Sequence, residues 1–172
     1  MPHILADCSW FMILPDGLEM SFLKSQALKI RKATSADADA LASCIEAAYA
    51  KHRQHISDLP PVSDGIADDI AAMQVWVATQ DGEVIAGLFL VPQDDFMKLA
   101  NLAVHPHHHG KGLGRQLAAL SEREARRQGY SEMRLNTHLA MPENVELYEH
   151  LGWEIVSTRG NTVSMRRCLA GS

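Results

Sequence analysis

The stretch that decides the fold is Leu99-Ala-Asn-Leu-Ala-Val-His-Pro-His-His-His-Gly-Lys-Gly-Leu-Gly114. It begins as an apolar run typical of a strand, passes through a loop rich in histidine and glycine, and continues with Leu113, Leu117 and Leu120 at helical spacing. The first N–H groups of a helix lack an internal partner and lie at the positive end of the helix dipole. A glycine-rich turn that leads into a helix forms an anion site, so residues 109–115 are predicted to cradle a pyrophosphate.

The glycine spacing Gly110-x-Gly112-x-Gly114 argues against two common phosphate-binding motifs. A dinucleotide-binding fold needs G-x-G-x-x-G and an acidic residue at the end of the next strand, whereas Glu132 falls at the start of that strand. A P-loop needs Ser or Thr after its lysine, whereas Lys111 is followed by Gly112. The turn is therefore expected to bind another kind of diphosphate.

Two segments resemble motifs of the GNAT family of N-acetyltransferases. His109-Gly110-Lys111-Gly112-Leu113-Gly114 is similar to the family's acetyl-CoA signature, Gln/Arg-x-x-Gly-x-Gly/Ala, with His109 where the family has Gln or Arg. The preceding Leu102-Ala-Val-His-Pro106 resembles the end of the family's fourth strand. Asn144-Val-Glu-Leu-Tyr148-Glu-His-Leu-Gly152-Trp153 resembles the family's Asn, Tyr and Gly-aromatic element in its Asn-x-x-x-Tyr variant.

The order of predicted elements agrees with this resemblance. Hydrophobic periodicity predicts strands over residues 28–33, 74–79, 84–91, 96–104, 133–137, 153–158 and 162–166, and helices over 38–51, 63–73, 112–128 and 142–151. Thr34 and Asp37 have the spacing of a helix cap, and Asp81-Gly82 predicts a hairpin turn. The resemblance implies an α/β (α+β) fold over residues 27–170, the GNAT acyl-CoA N-acyltransferase fold, with a mixed, mostly antiparallel seven-stranded sheet and helices on both faces.

Residues 1–26 are expected to form an N-terminal extension outside this domain. They contain the apolar run Trp10-Phe-Met-Ile-Leu14 followed by Pro15-Asp16-Gly17, but not the basic start and small-residue cleavage site of a secretory signal. Two interpretations stay open: an extra strand and turn packed on the domain, or a natural start at Met20.

The composition fits one globular domain with its own core, since 47% of the 172 residues are hydrophobic and 22% are charged. The formal net charge of −5 argues against nucleic-acid binding, which needs clustered basic residues. No apolar run approaches the ~18 residues of a transmembrane helix, so no membrane partner is expected. Cys8, Cys44 and Cys168 are odd in number and scattered, which favours reduced thiols and a cytoplasmic protein.

The resemblance implies acetyl-CoA as co-substrate and assigns roles to specific residues. In the family, backbone groups beside a bulge in the fourth strand hold the acetyl carbonyl and pantetheine, the glycine turn holds the pyrophosphate, Asn positions the arm and Tyr protonates the thiolate. Carried onto this chain, the catalytic residue is Tyr148. The cofactor-binding residues are Leu102, Ala103, Val104, His109, Gly110, Lys111, Gly112, Leu113, Gly114, Arg115, Asn144 and Tyr148. Asn144 and Tyr148 share a helix face because they are four residues apart, although Tyr148 also fits an ordinary half-buried position.

The general base is not assigned by the sequence. Related sequences often carry Glu on the fourth strand, whereas this chain has Ala100-Asn101 near that place. Either water carries the proton or another residue does, and the candidates are Glu83, His138, Tyr49, His52 and His55.

The histidines at positions 105, 107, 108 and 109 are not expected to bind a metal, because tetrahedral sites usually draw ligands from separated segments. His109 suggests a different property. Phosphates favour the charged form of a neighbouring imidazole, so binding of CoA is predicted to strengthen as the pH falls from about 8 to about 6.

The segment from Ser57 to Asp69 contains Asp58, Asp64, Asp68 and Asp69 without Lys or Arg, and in the family this region borders the acceptor cleft. Negative potential there would attract a cationic amine, but a solvated acidic surface is the simpler explanation of the pattern. The predicted function is transfer of an acetyl group from acetyl-CoA to a primary amine, on a small molecule or peptide. A homodimer stays open, as do two alternative functions: a non-catalytic acyl-CoA-binding sensor and an ordinary nucleotide-binding protein.

Overall fold

The computed structural model describes residues 27–59, 61 and 63–169, so the expected extension over 1–26 lies outside the described residues. The strands are β1 (Lys29–Lys32), β2 (Gln74–Gln80), β3 (Glu83–Pro92), β4 (Met97–Val104), β5 (Glu132–His138), β6 (Glu154–Arg159) and β7 (Thr162–Cys168). The helices are α1 (Ala38–Arg53), α2 (Ile66–Ala72), α3 (Leu113–Arg127) and α4 (Pro142–His150). Short 3₁₀ turns cover Ser35–Asp37 and Pro106–His108.

The seven strands form one sheet in the order β1-β2-β3-β4-β5-β7-β6. Every neighbouring pair is antiparallel except β4 and β5, which run parallel. The chain crosses from β4 to β5 through α3, as a parallel connection requires. The fold class predicted from the sequence is confirmed.

Helices cover both faces of the sheet, because side chains alternate along each strand. On β2, Val75 and Val77 pack with α1 and α2, whereas Trp76 and Ala78 belong to the cluster formed with α3 and α4. Gly87 on β3 allows α1 to approach closely, since a Cβ there would lie 2.5 Å from Leu41 Cδ1. The sheet therefore separates two hydrophobic layers, one on each face.

The largest difference from the predicted elements is the start of α2. The sequence predicts a helix over 63–73, but α2 begins at Ile66 because Gly65 has φ +73°, the left-handed conformation that ends a right-handed helix. The other predicted boundaries agree within one or two residues, the usual scatter of helix and strand ends.

The predicted cap at Thr34 and Asp37 is confirmed as a capping box around the 3₁₀ turn that leads into α1. Asp37 Oδ2 accepts the Thr34 N–H at 2.8 Å, and Asp37 Oδ1 lies 2.8 Å from Arg31 Nη2. The Arg31 guanidinium holds the pKa of this carboxyl well below its usual range. The start of α1 is thus fixed to β1, which places the far end of α1 against β4.

Candidate active site

The site begins where β4 separates from β5. The parallel pairing of these strands is limited to Met97–Leu99 against Met133–Leu135. Opposite β3, Phe89 pairs with Asn101 and Leu90 pairs with Leu99, so Ala100 is an extra residue that forms a bulge. The bulge lies just before residues 102–104, and beyond it β4 no longer pairs with β5.

Among the described strands, the backbone of Leu102 and Val104 has no partner on the side of β5. His105 donates its N–H to Ile85 O at 2.8 Å, which fixes the alternation of the antiparallel ladder. This alternation turns the N–H and C=O groups of Ala103 toward β3 and those of Leu102 and Val104 toward the gap left by β5. The gap therefore offers backbone donors and acceptors to an extended, amide-containing ligand.

The glycine-rich turn lies beside this gap. Gly112 has φ +75° and precedes the first residue of α3, and a Cβ on Gly110 or Gly112 would meet nothing within 4 Å. A Cβ on Gly114 would lie 3.9 Å from Leu102 Cδ2 and Val104 Cγ2, so the first turn of α3 faces β4. Open space and unpaired N–H groups at a helix start are the features of an anion cradle.

A cleft of about 610 Å³ joins the glycine turn to the gap. The predicted cofactor residues that line it are Leu102, Ala103, Val104, His109, Gly110, Gly112, Leu113, Gly114, Arg115, Asn144 and Tyr148. Lys111 is not among its lining residues. Across the cleft, His52 Nε2 on α1 lies 3.6 Å from Glu143 Oε1 on α4.

His109 contacts β4 through its side chain. Its Nε2 lies 2.8 Å from Val104 O, so this nitrogen carries a hydrogen and donates to the carbonyl. The imidazole thus occupies an acceptor that the strand ladder leaves free. A ligand amide that used Val104 O would have to displace the imidazole or share the oxygen with it.

Tyr148 lies between α4 and the sheet and is only 7% exposed. Its ring meets Trp153 edge-to-face, with centroids 5.5 Å apart. Burial, and then the neighbouring Tyr49, raise the pKa of Tyr148 above its ordinary value. The phenol therefore keeps its proton across the physiological pH range, which a hydrogen-bond donor or general acid requires.

A second pocket of about 350 Å³ is also bordered by Tyr148. It is lined by the loop after α1, the bulged part of β4, the end of β5 and the turn between β6 and β7. Both cavities share Tyr49, Leu102, Met141, Asn144 and Tyr148. The two spaces therefore adjoin along these five residues, and Tyr148 borders both.

A hydrogen-bonded cluster of Asp58, His138 and Asn161 lies at the second pocket. Asp58 Oδ1 is 3.2 Å from His138 Nε2, and Asp58 Oδ2 accepts from Asn161 Nδ2 at 2.9 Å. These bonds, first that of Asn161 and then that of His138, lower the pKa of Asp58. The cluster joins the loop after α1 to the end of β5 and to the turn between β6 and β7.

Asn101 stands on β4 near the place where related sequences often carry Glu. Its Oδ1 accepts a hydrogen bond from the Tyr49 hydroxyl at 3.1 Å. Burial raises the pKa of Tyr49, so this phenol also stays protonated. The pair is a neutral hydrogen bond and supplies no carboxylate base.

The candidate bases named from the sequence separate into three groups. Tyr49 and His138 line the second pocket, His52 lines only the first cleft, and Glu83 and His55 line neither. Sequence reasoning missed the polar residues Asn136, Asn161 and Thr162, which also line the second pocket. Asn161 was expected only to form a turn, and no local motif distinguishes a turn asparagine from a binding one.

The neighbouring histidines form a local network. His105 Nδ1 accepts the backbone N–H of His107 at 3.3 Å, and the two rings meet edge-to-face. Over 27–59, 61 and 63–169, no group of three or more His, Cys, Asp or Glu side chains could hold a metal ion. Within the same ranges, no helix has the length and apolar character needed to cross a membrane.

Residues 42–153 match the model of the acetyltransferase (GNAT) family. The chain belongs to this family, a class of acyl-CoA-dependent N-acyltransferases. It is 28% identical to the uncharacterized N-acetyltransferase YjgM of Escherichia coli (strain K12) over 145 residues, which is 78% of this chain and 87% of that protein.

Two solved structures share the fold. The PaiA N-acetyltransferase of Thermoplasma acidophilum, in complex with coenzyme A, gives a TM-score of 0.75 at 18% identity and covers 83% of this chain and 99% of that one. A GNAT family acetyltransferase from Elizabethkingia anophelis with acetyl-CoA bound gives a TM-score of 0.64 at 17% identity. The match covers 83% of this chain and 98% of that one.

Proposed function

We propose that this protein transfers the acetyl group of acetyl-CoA directly to a primary amine while both substrates are bound. The observation that carries the proposal is the meeting of two cavities at Tyr148. One is lined by backbone and glycines suited to a phosphate-bearing arm, and the other by polar side chains suited to a small acceptor. Direct transfer needs this arrangement, because nitrogen and thioester must approach within about 3–3.5 Å.

The cofactor lies in the cleft of about 610 Å³. Its pyrophosphate is held by the backbone of the glycine turn, residues 110–114, with His109, Lys111 and Arg115 at the flanks. Leu102 offers its N–H and C=O groups and Val104 its N–H to the pantetheine amides, while Val104 O is shared with His109, and Asn144 positions the arm. The coenzyme A and acetyl-CoA bound in two proteins of the same fold support this ligand.

In the reaction, the neutral amine attacks the thioester carbonyl carbon. A C–N bond forms, the C–S bond breaks, and sulfur leaves with the electron pair. Tyr148 supplies a hydrogen bond and then a proton to this sulfur. The proton lost by the amine nitrogen returns to the phenol through solvent. The products are an N-acetylamine and a free thiol. A thiol has a pKa near ~8.5, and the raised pKa of Tyr148 makes the phenol a weaker acid than that. The main contribution of Tyr148 is therefore the hydrogen bond that stabilises the negative charge developing on sulfur.

The second candidate function is an acyl-CoA sensor without turnover. Asn101 favours it, because the Tyr49–Asn101 hydrogen bond replaces a carboxylate that could take the amine proton. Tyr148, buried and protonated where the two cavities meet, favours the enzyme instead.

The test measures thiol release from acetyl-CoA across a panel of amines, with mass spectrometry of the N-acetyl product. The proposed function predicts turnover with at least one amine and competition by CoA. Tight binding of CoA without release of thiol with any amine would favour the sensor. Competition by ATP or NAD as strong as that by CoA would favour the nucleotide-binding alternative.

A further inference from the structure

We infer that the amine acceptor is a small molecule that carries a second positive charge, and that Asp58 binds this charge. The inference rests on the proposed transferase function and specifies its acceptor. It follows from the charge and shape of the pocket of about 350 Å³ on the acceptor side of Tyr148.

The described side chains that line the pocket carry negative charge without a matching Lys or Arg. Asp58 is the one carboxylate among the described residues that line it, and none of these lining residues is Lys or Arg. The other polar groups are amides, hydroxyls and His138. An acceptor with a carboxylate would meet Asp58 without a cationic side chain to receive it, whereas a cationic group would meet an opposite charge.

The charge of Asp58 is not cancelled by its neighbours. His138 Nδ1 accepts the N–H of Ala140 at 3.1 Å, so that nitrogen carries no proton and Nε2 carries the hydrogen donated to Asp58. This tautomer is the neutral imidazole. Asn161 also donates as a neutral amide, at 2.9 Å. The cluster therefore keeps a full negative charge.

Asp58 is held in place and still has room for a ligand. Both carboxylate oxygens have a partner on another segment of the chain, which fixes the orientation of the group. The side chain is 55% exposed, and each oxygen can accept a further hydrogen bond. The lowered pKa of Asp58 keeps it ionised wherever an amine acceptor reacts.

The same hydrogen bonds favour a small acceptor over a polypeptide. They join the loop after α1 to the turn between β6 and β7, two segments that line the pocket. The Asp58–Asn161 hydrogen bond crosses the space between these two segments, where an extended chain would otherwise pass. A compact diamine needs no such passage.

The experiment compares three acceptors of equal chain length: an α,ω-diamine, an alkylamine with a methyl at the far end, and an ω-amino acid. The wild-type protein is expected to favour the diamine over the alkylamine by about fivefold in kcat/KM, as expected for one partly exposed ion pair, and to use the amino acid least. The series is repeated at several chain lengths, and a lysine-rich peptide is included.

Asp58→Asn preserves size and removes the charge, so the diamine is expected to fall to within about twofold of the alkylamine. Asp64→Asn is the matched control, since Asp64 is an exposed carboxylate of the same loop that lines neither cavity. Raising the salt from about 0.05 to about 0.5 M should shrink the wild-type preference without any substitution. An equal rate for diamine and alkylamine, an unchanged preference in Asp58→Asn, or better use of the peptide than of the diamine would overturn the inference.

A binding readout separates this inference from the proposed function. The diamine and the alkylamine are titrated into protein saturated with CoA, where no reaction occurs. Weaker diamine binding in Asp58→Asn than in wild type supports the charged subsite even if acetyl transfer is absent. If the protein acetylates amines but neither the rates nor the binding depend on Asp58, the proposed transferase function stands and the charged subsite is contradicted.

Discussion

The two cavities that meet at Tyr148 are built in different ways. The cofactor side uses backbone groups from one continuous stretch, β4 through the first turn of α3, with glycines that keep the space open. The acceptor side uses side chains from segments far apart in the sequence: Asp58 is 80 residues from His138 and 103 residues from Asn161. A ligand common to a whole family can be bound by main chain, whereas a particular acceptor needs particular side chains.

The largest expected effect is at the junction of the two sides. Tyr148→Phe removes the hydroxyl and keeps the ring against Trp153, so kcat is expected to fall about 100-fold while the Kd for CoA changes little. Steady-state kinetics and calorimetry measure the two quantities. Tyr49→Phe is the matched control, a second buried phenol that borders both cavities, with an expected loss of less than about fivefold because it removes one neutral hydrogen bond. Equal losses in both variants would remove the assigned role of Tyr148.

The next prediction concerns the cofactor side alone and compares two glycines that flank α3. Gly112 and Gly129 lie at opposite ends of α3 with φ +75° and +85°, and a Cβ on either meets nothing within 4 Å. Ala at either position should therefore cost a similar 1–2 kcal/mol or so of backbone strain. Gly112→Ala should also weaken CoA binding about tenfold or more, because the methyl group projects into the cradle, while Gly129→Ala leaves binding unchanged. Similar CoA affinities for the two variants would contradict the cradle.

A smaller effect concerns His109, the residue that departs from the family signature. Wild-type protein is expected to bind CoA several-fold more tightly at about pH 6 than at about pH 8, because phosphates favour the charged imidazole. His109→Gln should flatten this dependence. Its amide can still donate to Val104 O, so the contact seen at 2.8 Å is not lost with the charge. An unchanged pH dependence in the variant would show that another group is responsible.

The smallest effect lies on the acceptor side. Asn161→Ala removes one of the two hydrogen bonds that hold Asp58 but leaves the carboxylate in place. The KM for the amine should rise about two- to fivefold, with the Kd for CoA unchanged. A change in CoA affinity instead would mean that the two sides are not independent.

The contrast between the two sides also explains what could be predicted from the sequence. The strand, glycine turn and helix over 99–115 are contiguous, so local patterns predicted these elements, and their resemblance to a family motif implied the fold around them. The spacing of Asn144 and Tyr148 predicted a shared helix face, whereas their roles were implied by the resemblance of this segment to a family motif. The position of the bulge at Ala100 could not be predicted, because it depends on the register of β4 against β3.

The acceptor side could not be assembled from local patterns. Asp58 was visible only as one of several acidic residues, and His138 only as one of several candidate bases. Their contact depends on how the loop after α1 packs against the end of β5, which is a tertiary property. The wrong start predicted for α2 has a similar origin, since a glycine inside an apolar period does not reveal its left-handed conformation.

The central claim is that the two cavities form one continuous site at Tyr148. Its most direct test is the affinity of a bisubstrate analogue, in which the sulfur of CoA is joined through an acetyl linker to a diamine. A compound that fills both cavities across Tyr148 should bind at least about 100-fold more tightly than CoA, because the second group binds without a further loss of translational freedom. Calorimetry on folded protein is expected to show this gain, reduced in Asp58→Asn. An affinity no higher than that of CoA itself would contradict the joined site.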